Sequence, residues 1–124
     1  MNKKAAKIIY WITTIALALF TLPGIFYINS PMAIEGTNHL GPFPEWFRLE
    51  AGIAAFIGGL ILILPPKFQR IKEWGYVGLG ITYISAFIGH LTVDGWVFMT
   101  FTPVIAFAVL LASYITYHKV YVKK

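Results

Sequence analysis

Four apolar stretches fill most of the chain, and short segments rich in proline, glycine and charge separate them. They cover residues 8–27, 47–64, 74–91 and 97–117. Each is close to the roughly 20 residues that a helix needs to cross a hydrocarbon core about 30 Å thick. We therefore predict an all-α polytopic membrane protein, in which one domain over residues 1–124 forms an antiparallel bundle of four transmembrane helices.

The lysine and arginine residues indicate how this bundle is threaded. Nine of the ten lie before the first span, between the second and third, or after the fourth, and only Arg48 lies on the other side. Positively charged flanks of short loops stay in the cytoplasm during insertion. We expect both termini and a loop at residues 65–73 inside, and a loop at residues 28–46 and a turn at residues 92–95 outside. The predicted location is the plasma (inner) membrane.

Composition narrows the range of functions. The net charge of +5 comes from residues that flank the spans, which indicates topology and argues against a nucleic-acid surface. The chain has no cysteine, so disulfides, thiolate metal sites and thiol exchange are excluded. Any redox role therefore needs a bound cofactor.

The outer loop has room for structure of its own. Ser30 followed by Pro31 is typical of a cap and a first-turn proline, which predicts a short interfacial helix over residues 31–40. Gly41 and Pro42 would end it, and Pro44 would open the second span. The expected partner of the whole chain is the lipid bilayer.

Two further prolines interrupt the outer spans. Pro23 predicts a kink in the first helix, because proline cannot donate to the carbonyl of Leu19. For Pro103 two alternatives remain open: a kink in the fourth helix, or a first-turn position with Thr102 as the cap.

Aromatic residues cluster at the predicted water boundaries. Tyr114, Tyr117 and Tyr121 share one face of the last helix, at i, i+3 and i+7. We interpret them as an interfacial anchor stripe, since tyrosine and tryptophan are enriched at membrane boundaries.

Small residues predict where two helices approach each other closely. Tight packing in lipid depends on such residues, because they let the backbones come together. We expect the second and third spans to pack through them, although the same pattern could form the seam of a homodimer. The predicted packing residues are Ala51, Ala55, Gly59, Gly75, Gly78 and Gly89.

The ionisable residues outside the basic faces gather at the outer side, where we expect any chemistry. Ionisable groups at membrane depth are costly and usually face the bundle or a wet cavity. We expect Glu50 and His90 to meet between the second and third spans, as either a structural clasp or a ligand pocket. The candidate residues are Glu50, His90, Arg48, Asp94 and His39. Their spacing is not diagnostic of a metal site, so we predict none.

Several short segments resemble the DoxX-like family of small four-helix membrane proteins, and the similarity extends over nearly the whole chain. The segments are residues 36–41 with His39-Leu40-Gly41, 62–66 (Leu-Ile-Leu-Pro-Pro), 72–76 (Lys-Glu-Trp-Gly-Tyr), 85–91 (Ser-Ala-Phe-Ile-Gly-His-Leu) and 113–119 (Ser-Tyr-Ile-Thr-Tyr-His-Lys). Relatives in the wider group are associated with quinone-linked sulfur oxidation, oxidative-stress oxidoreductase complexes and assembly of other membrane proteins. The resemblance supplies no catalytic residues.

Two functions follow from the residues and the resemblance together. The first is a binding or accessory subunit that holds a lipid- or quinone-like molecule, or a partner protein, near the outer leaflet. The second is a membrane component of a quinone-linked oxidoreductase, in which Glu50 or His90 exchanges protons with quinone oxygens. The sequence leaves open whether the protein is an enzyme, and quinone is the one cofactor it suggests.

Overall fold

The structure, a computed structural model, describes residues 2–41 and 43–121, and these residues form helices and no strand. The predicted all-α class is therefore confirmed. In chain order the α-helices are α1 (Lys3–Thr21), α2 (Pro31–Leu40), α3 (Glu45–Leu62), α4 (Gln69–Asp94) and α5 (Phe98–Val120). A 3₁₀ segment, Leu22–Tyr27, continues α1.

Three helical segments in the described chain are long and apolar enough to cross a membrane. They are Lys3–Tyr27, Gln69–Asp94 and Phe98–Val120. The helix α3 differs because it has only 18 residues and carries Glu45, Arg48 and Glu50 near its start. The membrane character of the chain is thus established, while the fourth span stays a prediction.

The helix α4 is longer than its apolar stretch. It begins at Gln69, inside the predicted inner loop, and continues to Asp94, inside the predicted outer turn. It stops at Gly95, whose φ of 72° is a left-handed conformation that glycine adopts without steric cost. The turn between α4 and α5 therefore lies at residues 95–97.

The prolines act in different ways. Pro23 lies in the 3₁₀ segment, so the chain changes helix type there and the α-helix ends at Thr21. Pro103 lies inside α5, which begins at Phe98, and Thr102 is therefore not the cap. Ser30 caps α2 as predicted, because its hydroxyl accepts a hydrogen bond from the backbone N–H of Ala33 at 3.2 Å.

The helices pack in the order α3, α4, α5, α1, with α1 also touching α3. One end of this bundle, which we call the near end, holds the start of α1, the end of α5 and the α3–α4 loop. The other end, the far end, holds α2 and the α4–α5 turn. Large apolar side chains remain exposed along the outside of every helix, as expected for a protein that contacts lipid.

Glycines do bring α3 and α4 together, but not all of those predicted. A Cβ atom built on Gly75 would lie 2.5 Å from Cγ2 of Ile61, and one on Gly58 would lie 3.0 Å from Cγ of Leu79. Gly59 instead faces Leu22, at 2.9 Å. These three glycines therefore mark close approaches of α3 to α4 and to the end of α1.

Gly78 and Ala51 do not take part in this contact. A Cβ atom on Gly78 would meet nothing within 4 Å, and Ala51 is exposed. The reason is helical phase, since the buried stripe of α4 passes through Gly75, Leu79 and Tyr83 and leaves Gly78 outside. The other two predicted packing residues, Ala55 and Gly89, are half-buried.

This geometry gives a stability prediction with a matched control. Gly75→Ala adds a methyl group against the branched base of Ile61 and should lower stability by about 1–3 kcal/mol. Gly78→Ala adds the same methyl group in open space and should leave stability unchanged or slightly raised. Thermal unfolding in mild detergent measures both. Equal midpoints for the two variants would refute the assigned helix face.

Candidate functional site

Two histidines flank one carboxylate at the far end. Asp94, the last residue of α4, lies 2.5 Å from Nε2 of His39 through its Oδ1 atom. Its other oxygen, Oδ2, lies 3.6 Å from Nδ1 of His90, one turn earlier on the same helix. His90 and Asp94 share a face because α4 extends as far as Asp94. The contact between His39 and Asp94 joins α2 to the end of α4.

The imidazole of His90 is oriented but not fully hydrogen-bonded. Its Nδ1 atom is buried and has no hydrogen-bond partner within the described residues, because 3.6 Å is too long for such a bond. Its Nε2 atom also has no hydrogen-bond partner among these residues, but unlike Nδ1 it is not fully buried. An imidazole nitrogen donates or accepts according to the tautomer, so Nε2 can pair with either a carbonyl or a hydroxyl oxygen of a ligand.

A cavity of about 290 Å³ lies beside His90, and we call it the His90 cavity. All four long helices contribute to it, and its walls are mainly apolar. Among the polar groups that line it are the hydroxyls of Thr21 and Tyr83, which lie 2.9 Å apart. The lining residues are Phe20, Thr21, Ala55, Thr82, Tyr83, Ala86, His90, Met99, Thr102 and Pro103.

Glu50 does not join this site. It is exposed, and no ion pair or hydrogen bond joins it to His90 within the described residues. Arg48 is buried on the inner face of α3, and Glu50 lies two residues later, about 200° around the helix. Asp94 thus lies beside His90, in the position predicted for Glu50.

Arg48 is a second far-end feature, separate from the histidines. Its side chain is 8% exposed, and its Nη1 atom donates to the Ile28 carbonyl oxygen and, at 3.2 Å, to Oδ1 of Asn29. Its Nη2 atom lies 3.4 Å from a carboxylate oxygen of Glu45. Arg48 therefore holds the chain between the 3₁₀ segment and α2 against α3.

The far-end carboxylates and histidines of the described chain are not arranged as a group of metal ligands. Within residues 2–41 and 43–121, no three histidine, aspartate or glutamate side chains are grouped so that they could hold a metal ion. His39 and His90 approach different oxygens of Asp94, and so they do not converge on one point.

The near end contains a site that the sequence analysis missed. Lys72, which the sequence predicts to lie in a cytoplasmic loop, is in the first turn of α4 and is 0% exposed. Its Nζ atom donates to the carbonyl oxygens of Leu62 at 2.6 Å and Leu64 at 3.1 Å. It also lies over the rings of Tyr10 and Tyr117, 5.3 and 5.2 Å from their centroids.

Three tyrosines at the end of the chain pack around this cluster, namely Tyr114, Tyr117 and Tyr121. Tyr117 is completely buried, and its hydroxyl donates to the Pro66 carbonyl oxygen at 2.7 Å. Tyr114 packs edge-on against Tyr76, and the Tyr121 hydroxyl accepts from Nε1 of Trp11 at 3.1 Å. The anchor-stripe interpretation is therefore wrong for Tyr117, because that side chain closes the core.

Hydroxyl groups continue this polar cluster into the bundle. The Ser113 hydroxyl lies 2.7 Å from the Thr14 hydroxyl and 2.7 Å from that of Tyr76. Three helices, α1, α4 and α5, are joined by these two contacts. Hydrogen bonds between helices stabilise bundles in lipid, where water cannot replace them.

The model of the DoxX-like family matches residues 11–113 of the chain. The chain belongs to the DoxX-like family. The match extends from α1 to α5 and so includes Lys72, Arg48, His90 and Asp94. Comparisons with curated proteins and with solved structures gave no match.

Lys72 gives this DoxX-like protein a testable stability feature. Lys72→Met keeps most of the side-chain volume but removes the amine and its two hydrogen bonds. Two carbonyl oxygens are then unpaired, which should lower the free energy of unfolding by about 2 kcal/mol. Lys67→Met is the control, because Lys67 is exposed in the same loop region. Thermal unfolding in detergent compares them. A Lys72→Met midpoint equal to that of Lys67→Met would contradict the role given to the amine.

Proposed function

We propose that this DoxX-like protein is a binding or accessory subunit that holds a lipid- or quinone-like molecule in the His90 cavity. The observation that carries the proposal is the combination of an apolar cavity with a histidine whose two nitrogens lack hydrogen-bond partners within the described residues. Ligand sites are typically apolar cavities with a few polar groups that fix orientation. A ligand oxygen at Nε2 of His90 would supply the missing partner.

The size of the cavity limits what part of a molecule it receives. A volume of about 290 Å³ accommodates a ring or a small polar head, but not a whole isoprenoid or diacyl lipid. Exposed apolar residues such as Phe20 and Met99 lie on its rim, next to the region that lipid would occupy. The head would therefore bind inside the cavity while the tail stays in the bilayer.

The alternative function is a membrane component of a quinone-linked oxidoreductase. Asp94 links His90 to His39, whose side chain is 59% exposed, so this row of groups leads from the cavity to the far-end surface. Such a row is suited to passing the protons that a quinol releases. Since the chain has no cysteine, the electrons would pass to a bound cofactor or a partner protein.

We further propose that α3 is a fourth span and that the near end faces the cytoplasm, in a single domain of the plasma membrane. The basic residues of the near end support this orientation. The far end, with its histidines, would then lie at the outer leaflet. A partner protein or a second copy would contact the exposed outer faces of the helices.

Ligand binding is tested by filling the cavity. A short-chain benzoquinone or a lipid that occupies the site at 100 times its dissociation constant should stabilise the protein by about 2.7 kcal/mol. Ala86→Leu, which fills the cavity, should abolish this thermal shift, and His90→Phe should reduce it. Ala108→Leu, at an exposed position on α5, is the control.

Mass spectrometry of the organic extract from each purified variant identifies what the parent protein retains. The proposal fails if Ala86→Leu and Ala108→Leu retain the same molecules and respond equally to the benzoquinone. Quinol-dependent reduction of an added acceptor by the purified parent would favour the oxidoreductase alternative.

Topology is tested with single cysteines, since the chain has none of its own. Asn38→Cys, exposed on α2, should react with a membrane-impermeant maleimide in intact cells. Phe68→Cys, exposed in the α3–α4 loop, should react only after lysis. The reverse order of labelling would overturn the orientation. Labelling of both sites in intact cells would show that α3, the one helix between them, does not cross the membrane.

A further inference from the structure

A small pocket at the far end lies between α2 and the start of α3, apart from the His90 cavity. It has a volume of about 180 Å³, and Arg48, Glu45 and Asn38 are among the residues that line it. None of its lining residues lines the His90 cavity. The pocket therefore requires its own explanation.

The two charged groups of this pocket differ in their exposure to solvent. Arg48 is almost fully buried, whereas the Glu45 side chain is 77% exposed. The hydrogen bonds of Arg48 within the described residues use three of its five N–H groups. A buried guanidinium with free donors is suited to bind a phosphate, and an exposed carboxylate beside it is suited to bind an ammonium group.

The local backbone supports a phosphate at the same place. Pro44 is the N-cap of α3 and offers no side-chain hydrogen bond to the first turn. The backbone N–H groups of that turn and the helix dipole both favour a negative group nearby. Asn38 adds a neutral amide at the pocket wall.

We propose that this pocket binds the zwitterionic head group of a membrane phospholipid, with the phosphate on Arg48 and the ammonium group on Glu45. Exposed apolar side chains next to the pocket, Phe43 and Trp46, would contact the acyl chains. Glu45 makes the pocket selective, because it attracts an ammonium group and repels a purely anionic head group. This inference needs the membrane location but not the ligand proposed for the His90 cavity.

Competition between two lipids tests the proposal. Purified protein is exchanged into nanodiscs with equal amounts of phosphatidylethanolamine and phosphatidylglycerol, and native mass spectrometry measures the retained lipids. The parent protein should retain phosphatidylethanolamine in roughly threefold preference, the scale of one partly exposed charge pair. Glu45→Gln should remove the preference. Glu35→Gln is the control, since Glu35 is exposed on α2 and does not line the pocket.

Two further measurements separate the remaining explanations. Arg48→Lys keeps the charge but not the planar donor group, and it should lower retention of both lipids. Soluble O-phosphoethanolamine should give a smaller thermal shift than the lipid, because it lacks acyl chains. The proposal is wrong if Glu45→Gln keeps the parent's lipid ratio, if the parent shows no preference, or if the soluble compound stabilises as well as the lipid.

Discussion

The amine of Lys72 occupies the point where α3 ends and α4 begins. The last carbonyl groups of a helix have no partners within the helix, and apolar surroundings make unpaired carbonyls costly. Nζ of Lys72 satisfies the Leu62 oxygen at the end of α3 and the Leu64 oxygen in the following loop, and the rings of Tyr10 and Tyr117 cover the amine from α1 and α5. One side chain thus brings all four long helices to a common point. The near end is closed by this contact and by the hydroxyl groups of Thr14, Ser113 and Tyr76 next to it.

The far end has the opposite character. Its charged and polar groups are only partly paired, and His90 and Arg48 each line a cavity. Many proteins have one rigid region that provides stability and another region that binds ligands. The rigid region keeps polar groups of the binding region in place although those groups lack partners. In this DoxX-like protein the near end would keep the helices in register, while His90 and Arg48 would bind the ligands proposed above.

The sequence predicted the parts of this structure that depend on local chemistry. Ser30 and Pro31 predicted α2, Pro44 predicted the start of α3, and the apolar stretches predicted the long helices. Helix faces were harder to predict, because a helix that is apolar on all sides has no polar stripe to reveal its buried face. Gly78 was therefore placed in a contact, and Glu50 was paired with His90, although the helical phase turns both outward. Lys72 was missed because a lysine beside a span usually indicates topology, and only the fold brings Leu62, Tyr10 and Tyr117 around it.

The contacts of Lys72 also differ in how far apart their partners lie along the chain. Leu64 and Leu62 precede it by only 8 and 10 residues, whereas Tyr10 and Tyr117 come from opposite ends of the sequence. Closing a short loop costs less conformational entropy than closing a long one. The hairpin of α3 and α4 can therefore close once both helices are synthesised, when Tyr10 of α1 is already present, whereas Tyr117 is added only after synthesis of α5. During biogenesis the amine would first join neighbouring parts of the chain and only later lie at the centre of the bundle.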